Sequence, residues 1–174
     1  MTTPVERRSD TGRAGACWRP ALHGDLQTIV GLADVIHPAY PESPGTFASR
    51  MALHGSGVWL AMSGGVAAGY AIGHPWRGAA PLLDLRLDAI PDQPDRYWIH
   101  DLALLPSARG AGLGRAGVAL LRADAAAAGL CRLSLIAVGA SASFWRRAGF
   151  AADPGLAVPD CYGSGLGMVW VAED

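Results

Sequence analysis

Apolar residues in the first half of the chain recur at spacings that alternate between strand and helix. Residues 17–22 predict a short first strand. From residue 24 to residue 36 apolar positions repeat every three or four residues, which predicts the first helix. After a loop rich in proline and histidine, a second short helix is predicted over residues 47–53. Two apolar runs, 58–62 and 66–72, flank Ser-Gly-Gly and predict a β-hairpin.

The second half of the chain begins with a long predicted loop, residues 74–94, which is rich in Pro, Gly and Asp. Strands and helices then alternate. They are predicted as strand 97–104, helix 115–128, strand 132–138, helix 141–148 and strand 168–172. Because strands occur both in a hairpin and in strand-helix-strand units, the pattern predicts an α/β fold with a mixed sheet and helices on both faces.

Composition limits the class of protein. The chain has 174 residues, of which 51% are hydrophobic and 17% charged, with a net charge of -1. These values predict one soluble domain over residues 17–174, preceded by a polar, disordered N-terminal tail of residues 1–16. The absence of a basic excess argues against nucleic acid as a partner. No apolar run is long enough for a membrane span, so no membrane partner is expected.

Three residue types carry further information about compartment and mechanism. The three cysteines, Cys17, Cys131 and Cys161, are widely spaced and unpaired in pattern, which favours a reducing, cytoplasmic setting. All 14 basic residues are Arg, and the chain contains neither Lys nor Asn. This excludes Schiff-base, P-loop and Ser-Lys chemistry and a Cys-His-Asn triad. No paired Cys/His spacing supports a metal site, so none is predicted.

Glycine is concentrated where the strand at 97–104 leads into the helix at 115–128. Glycines occupy positions 110, 112, 114 and 117, and Arg109 and Arg115 lie among them. Backbone N–H groups at such a helix start, with the helix dipole behind them, favour a phosphate or pyrophosphate group. The arginines add charge-assisted contacts. We therefore predict a phosphate-bearing cofactor here, while close packing alone remains an alternative reason for the glycines.

One interpretation of this segment is the dinucleotide-binding site of an NAD(P)-dependent oxidoreductase. Residues 112–117 read G-L-G-R-A-G, which formally matches the G-x-G-x-x-G motif. That site requires an acidic residue at the end of the next strand to bind the ribose. Here the next strand ends Ile-Ala-Val-Gly, without an acid. The sequence therefore disfavours this interpretation.

A second interpretation rests on two motifs taken together. Residues 109–114 read R-G-A-G-L-G, and Trp145 is followed four residues later by Gly149-Phe150. In this order, and after matching strands, the two motifs make residues 17–172 resemble the GCN5-related N-acetyltransferase (GNAT) superfamily. The first motif corresponds to the family's Q/R-x-x-G-x-G/A pyrophosphate loop.

The resemblance implies an acetyl-CoA-dependent N-acetyltransferase that moves an acetyl group to a primary amine by direct attack on the thioester. It also implies a mostly antiparallel sheet with a splayed strand pair. The strand backbone would pair with the pantetheine amides, the glycine loop would hold the pyrophosphate, and the last helix would line the pantetheine arm. The implied cofactor-binding residues are Leu102, Ala103, Leu104, Arg109, Gly110, Ala111, Gly112, Leu113, Gly114, Arg115, Ser143 and Trp145.

His100 is the candidate catalytic base. Strand alternation predicts that it shares one face with Trp98, Leu102 and Leu104, and that Asp101 lies on the opposite face. In the alignment with the family's glycine motif, His100 falls where arylalkylamine N-acetyltransferases carry a histidine, and imidazole titrates near neutrality. A hydrogen-bonded sheet histidine is the alternative. Asp101 is interpreted as structural, or as orienting His100 or the substrate.

The sequence departs from the family at Trp145, where many members have a Tyr whose hydroxyl protonates the CoA thiolate. Indole cannot act as an acid, so Ser141, Ser143, Tyr162 or a water would substitute, or the thiolate leaves unaided. The family's usual Asn before this helix is also missing. A non-catalytic acyl-CoA-binding or regulatory module is therefore the alternative function.

Acceptor specificity is expected from three loops that carry aromatic and acidic residues. Tyr40, Trp76 and Tyr162 are the predicted substrate-binding residues, near His37 and Glu42, His74, Asp160 and Cys161. This combination suits a small-molecule or peptide amine, whose cation rests against the rings. Cys161 as an acyl carrier is an alternative. The oligomeric state is left open, a homodimer being one option.

Overall fold

The computed structural model describes residues 15–173, which contain seven strands and four α-helices joined by loops. Residues 1–14 of the predicted N-terminal tail, and residue 174, lie outside the described residues. Among the described residues, no helix is long and apolar enough to cross a membrane. The helices are α1 (Leu26–Ile36), α2 (Pro44–Leu53), α3 (Leu113–Ala127) and α4 (Ala142–Arg147). The strands are β1 (Cys17–Pro20), β2 (Val58–Ser63), β3 (Val66–Trp76), β4 (Arg96–Leu104), β5 (Arg132–Ala137), β6 (Ala151–Ala152) and β7 (Leu166–Val171).

The strands form one sheet in the order β1-β2-β3-β4-β5-β7-β6. Every neighbouring pair is antiparallel except β4 and β5, which are parallel. These two strands pair only at Tyr97 with Leu133 and at Trp98 with Ser134, and then diverge. The prediction of a mixed, mostly antiparallel sheet with a splayed strand pair is confirmed.

Helices cover both faces of the sheet, as predicted. On one face, α1 and α2 pack Ile29 and Phe47 against Tyr70 and other apolar residues of β2 and β3. On the other face, α3 and α4 pack on β4, β5 and β7, with Leu121 and Trp145 fully or almost fully buried. Full burial of a Leu, Ile or Phe side chain contributes about 1.5–3 kcal/mol to stability. The two apolar layers therefore bury both faces of the sheet.

A β-bulge in β4 corrects the predicted side-chain alternation. Consecutive β3 residues Ile72 and Gly73 face Asp101 and Ile99, so His100 is the extra residue. Beyond the bulge the alternation is shifted by one position. The predicted grouping of His100 with Leu102 and Leu104 is therefore wrong. The two leucines pack on the α3 side, and both His100 and Asp101 face the side of α1 and α2.

Several element boundaries differ from the predicted ones for local reasons. α2 begins at Pro44, three residues before the predicted start. Proline is tolerated at this first position because the backbone N–H that it lacks would have no partner within the helix. α3 begins at Leu113, two residues early, after Gly112 in a left-handed conformation. β3 continues to Trp76, which shortens the predicted loop, and the two-residue strand β6 was not predicted.

The α3 helix approaches the sheet closely at Gly117. A Cβ atom placed there would lie 2.8 Å from the Trp18 ring and 3.0 Å from the Leu102 side chain. The Trp18 ring cannot easily move, because its Nε1–H donates a 2.9 Å hydrogen bond to the Leu113 carbonyl. Gly117 is thus one of the predicted glycines that serves packing.

We expect Gly117→Ala to lower the free energy of unfolding by about 1–2 kcal/mol, because the steric cost exceeds the gain in helix propensity. Thermal and urea unfolding measure this change. Gly31→Ala in α1 is the matched control, since no atom lies within 4 Å of the position where its Cβ would stand. That control should stabilise the protein by about 0.5–1 kcal/mol. Equal stabilisation by both substitutions would contradict the close contact.

Candidate active site

Two cavities meet where β4 and β5 diverge. The larger cavity, about 800 Å³, lies beside the start of α3, and the smaller cavity, about 230 Å³, lies towards the α1–α2 loop. The absence of further β4–β5 pairing leaves this space open between the two strands. Five residues line both cavities and mark their junction: His37, Leu102, Val138, Ser141 and Trp145.

The larger cavity is lined by ten of the twelve residues predicted to bind the cofactor, that is, by all except Ala111 and Leu113. Ala111 is exposed beside the cavity. Leu113 is almost fully buried, and its side chain packs in the core with Leu104 and Ala108. Phe144 and Arg147 of the α4 segment also line the cavity and were not predicted.

Charge and backbone conformation fit the larger cavity to an anionic ligand. Its lining includes Arg109, Arg115 and Arg147, and no carboxylate of the described residues lines it. Gly110 and Gly112 both have φ of 82°, and no atom lies within 4 Å of where their Cβ atoms would stand. The loop therefore leaves open space in front of the α3 N-terminus, as a bound phosphate group requires. Packing alone does not explain these two glycines.

The backbone of β4 has one unpaired edge beside the larger cavity. The N–H of Leu105 donates to the Ala68 carbonyl, towards β3. Because successive residues of a strand alternate, the N–H and C=O groups of Leu104 point away from β3. By the same alternation Leu102 points to the cavity and Ala103 points to β3. Arg109 reaches this edge, where its Nε–H donates a 3.1 Å hydrogen bond to the Leu104 carbonyl. An extended ligand therefore finds backbone partners in the N–H and C=O groups of Leu102 and in the N–H of Leu104.

His100 lies in the smaller cavity and is paired with Glu42 from the α1–α2 loop. The His100 Nε2 atom is 2.8 Å from Glu42 Oε2, and their side chains are only 2% and 7% exposed. Burial alone would raise the pKa of Glu42, but the charge that His100 carries when protonated, its hydrogen bond, and the charge of Arg50 hold this pKa below its ordinary value. The pair thus keeps a buried carboxylate ionised.

Asp101 faces the same cavity and bonds two neighbours. Its Oδ1 atom is 3.2 Å from Nε2 of His37, and its Oδ2 accepts a hydrogen bond from the Tyr70 hydroxyl. Burial alone would raise the pKa of Asp101, but the hydrogen bond and charge of His37, then Tyr70 and His100, lower it. The prediction that Asp101 lies on the opposite face from His100 is wrong, because the bulge turns both side chains to one side.

The predicted substrate-binding residues divide into two groups. Tyr40 and Tyr162 line the smaller cavity, whereas Trp76 lines neither cavity and donates its Nε1–H to the Ala79 carbonyl. The Tyr162 hydroxyl donates to the Pro81 carbonyl. Burial, and then the charge of Glu42, raises its pKa. Tyr162 is thus poorly suited as a proton donor to a ligand. Cys161 is exposed and also lines neither cavity.

Comparison with known proteins relates this geometry to a family. The model of the acetyltransferase (GNAT) family matches residues 26–150, well over half of the chain, and the chain belongs to this family. No curated protein sequence matches the chain significantly. The predicted family is confirmed. The family model supports acyl-CoA-dependent acyl transfer as the class of reaction and acetyl-CoA as its cofactor.

Solved structures share the fold at low sequence identity. Rv2747 from Mycobacterium tuberculosis in complex with CoA is 18% identical, with a TM-score of 0.69 over 90% of this chain and 99% of that one. Arabidopsis thaliana Naa50 in complex with the bisubstrate analogue CoA-Ac-MVNAL is 14% identical, with a TM-score of 0.70 over 91% and 100%. The PaiA N-acetyltransferase from Thermoplasma acidophilum in complex with coenzyme A is 13% identical, with a TM-score of 0.65 over 91% and 99%.

The Glu42 pair makes stability depend on pH in a defined direction. A carboxylate whose folded pKa is lowered stabilises the fold above its unfolded pKa, and this contribution is lost as pH falls through the folded value. We therefore expect Glu42→Gln to lower the free energy of unfolding by about 1–3 kcal/mol at neutral pH. The effect should be much smaller at a pH below the lowered folded pKa, which itself lies under the ordinary value of about 4.3.

Thermal unfolding at both pH values measures this difference, with the exposed Glu173→Gln as the matched control. That control should change stability little at either pH. A Glu42→Gln effect that is the same at both pH values would show that the carboxylate charge does not contribute.

Proposed function

We propose that this protein is an acetyl-CoA-dependent N-acetyltransferase that acts on a primary amine of a small molecule or peptide. The observation that carries the proposal is the meeting of two cavities of opposite character at the β4–β5 splay. The larger one is lined by arginines, and the smaller one by carboxylates, imidazoles and tyrosines. A phosphate-bearing donor fits the first and an amine fits the second.

In this proposal the larger cavity holds the cofactor. Arg109, Arg115 and the N–H groups of the glycine loop bind the pyrophosphate, and the free β4 edge at Leu102 and Leu104 pairs with the pantetheine amides. Ser143 and Trp145 line the path towards the junction. Acetyl-CoA supplies the activated acetyl thioester that the reaction consumes.

The smaller cavity receives the acceptor amine. The carboxylates of Glu42 and Asp101 attract its cation, and the ring of Tyr40 offers an aromatic surface. The bound cation first loses one proton to solvent, which gives the nitrogen its lone pair. His100 takes up the second proton, which the nitrogen loses as it is acylated. The carboxylate of Glu42 accepts the Nε2–H of His100, which leaves Nδ1 as the atom with a lone pair. That nitrogen is buried and has no hydrogen-bond partner among residues 15–173.

Cofactor binding is tested first. We expect saturable binding of acetyl-CoA in isothermal titration calorimetry, and about 10- to 100-fold weaker binding for Arg115→Gln, because a charge-assisted contact to phosphate is lost. The salt dependence of binding should also become weaker. The exposed Arg86→Gln, which lines neither cavity, is the matched control and should bind as the unaltered protein does. Absence of acetyl-CoA binding would sink the proposal.

Catalysis is tested with an acceptor screen. Free CoA thiol is measured while amines, amino acids, polyamines and peptides are offered with acetyl-CoA. For an acetylated acceptor, we expect His100→Gln to lower kcat by about 10²- to 10⁴-fold, since the amide preserves the bond to Glu42 but cannot accept a proton. Acetyl-CoA affinity should stay unchanged.

The exposed His23→Gln, outside both cavities, serves as the control for the His100 substitution. Tight acetyl-CoA binding with no turnover of any acceptor class would instead favour the alternative, a non-catalytic acyl-CoA-binding module. Trp145 supports this alternative, because it lines both cavities and its indole cannot act as an acid.

A further inference from the structure

A second carboxylate–imidazole pair lies at the junction of the two cavities. His37 directly follows the last residue of α1. Its Nε2–H is directed to the Asp101 carboxylate, 3.2 Å away, which also accepts a hydrogen bond from the Tyr70 hydroxyl. This chain of hydrogen bonds fixes the imidazole ring. Nδ1 of His37 remains without a hydrogen-bond partner among the described residues. The ring therefore keeps one nitrogen available for proton transfer.

The two imidazoles occupy different positions relative to the cavities. His100 lines only the smaller cavity, whereas His37 lines both. The side chains of His37 and Asp101 are 27% and 18% exposed, compared with 2% and 7% for His100 and Glu42. His37 can therefore exchange protons with solvent between turnovers. It also lines the junction that a group extending from one cavity into the other would occupy.

Breaking a thioester releases a thiolate, which a proton donor at this junction would stabilise. Three other nearby groups are poorly suited to this role. The Trp145 indole is not an acid, and the Tyr162 hydroxyl is committed to the Pro81 carbonyl. The Ser141 hydroxyl donates a 2.7 Å hydrogen bond to the Val138 carbonyl. Among these residues, imidazolium is the one ordinary acid that titrates near neutral pH.

Resting on the proposed function, we propose that His37 is the general acid that protonates the departing CoA thiolate and that Asp101 is its positioning residue. The nitrogen of the neutral amine forms the new C–N bond as the C–S bond breaks, and sulfur keeps the bonding electron pair. His37 gives its Nδ1 proton to sulfur, while His100 takes the proton lost by the amine. His37 then regains a proton from solvent, and the buried His100 must release one before the next turnover.

The electrostatic surroundings of His37 favour the protonated ring. Burial alone would lower its pKa, but the hydrogen bond and charge of Asp101, and then the charge of Glu42, raise the pKa above its ordinary value. Arg109 opposes this effect from the glycine loop. His100 acts on the same cluster through Asp101. A raised pKa suits a group that must carry a proton before the reaction and release it during the reaction.

The first test needs no acceptor. The thiol of bound CoA is titrated by the ultraviolet absorbance of its thiolate, with the desulfo-CoA complex as the blank. Because a nearby imidazolium stabilises a thiolate, we expect His37→Gln to move the titration midpoint of the bound thiol upward by about one pH unit. The exposed His23→Gln is the matched control and should leave the midpoint unchanged. An unchanged midpoint in His37→Gln would overturn the proposal.

The second test uses the pH dependence of kcat with an acetylated acceptor. A general acid must be protonated, so kcat should fall as pH rises through the pKa of His37. We expect His37→Gln to lower kcat by about 10²-fold or more and to remove this alkaline decline, with acetyl-CoA affinity unchanged. Asp101→Asn should keep the decline and move it to lower pH, because the stabilising carboxylate charge is lost.

The outcomes separate this proposal from the one on which it rests. If acceptors are acetylated but His37→Gln keeps both kcat and the alkaline decline, His37 is not the acid, and N-acetyltransfer still stands. If acetyl-CoA does not bind, or if no acceptor is consumed, the proposed function fails, and the acid role fails with it.

Discussion

The early end of hydrogen bonding between β4 and β5 is the constraint on which the site depends. The two parallel strands share only two residue pairs before they separate. Each N–H or C=O group left unpaired in a buried place costs about 1–3 kcal/mol, so the open edge of β4 must meet solvent or a ligand. The α3 and α4 segments, which follow β4 and β5, frame the gap. One interruption in the sheet thus creates both cavities and the backbone edge between them.

The bulge at His100 gives this gap its chemistry. In a regular strand, consecutive side chains point to opposite faces, and only one of His100 and Asp101 would face the smaller cavity. The extra residue brings both to the same side, where Glu42 and His37 meet them from the α1 and α2 region. Two imidazoles and two carboxylates therefore form separate pairs with different exposure.

Local signals predicted much of the fold and of the cofactor side. The glycines between β4 and α3 and the Trp145–Gly149–Phe150 pattern are short local motifs, so the resemblance to the family could be found from the sequence. The bulge carries no comparable mark, since neither Gly nor Pro stands at His100, and simple alternation therefore misplaced Asp101. The pairs His100–Glu42 and His37–Asp101 join residues 58 and 64 positions apart, which only the folded chain reveals.

The bond from Arg109 to the Leu104 carbonyl affects how the larger cavity meets an anion. Because Nε–H is already engaged, the guanidinium is held in place while both terminal amino groups stay without a partner among the described residues. A long side chain that is ordered only on binding loses about 0.5–1.5 kcal/mol of affinity to lost rotational freedom. Arg109 is already held by its bond to the strand. A lysine carries its three N–H donors on one nitrogen, so that nitrogen would have to lie within reach of both the strand and the anion. Arginine at this position therefore makes the contact with the strand and still leaves two donor groups for a ligand.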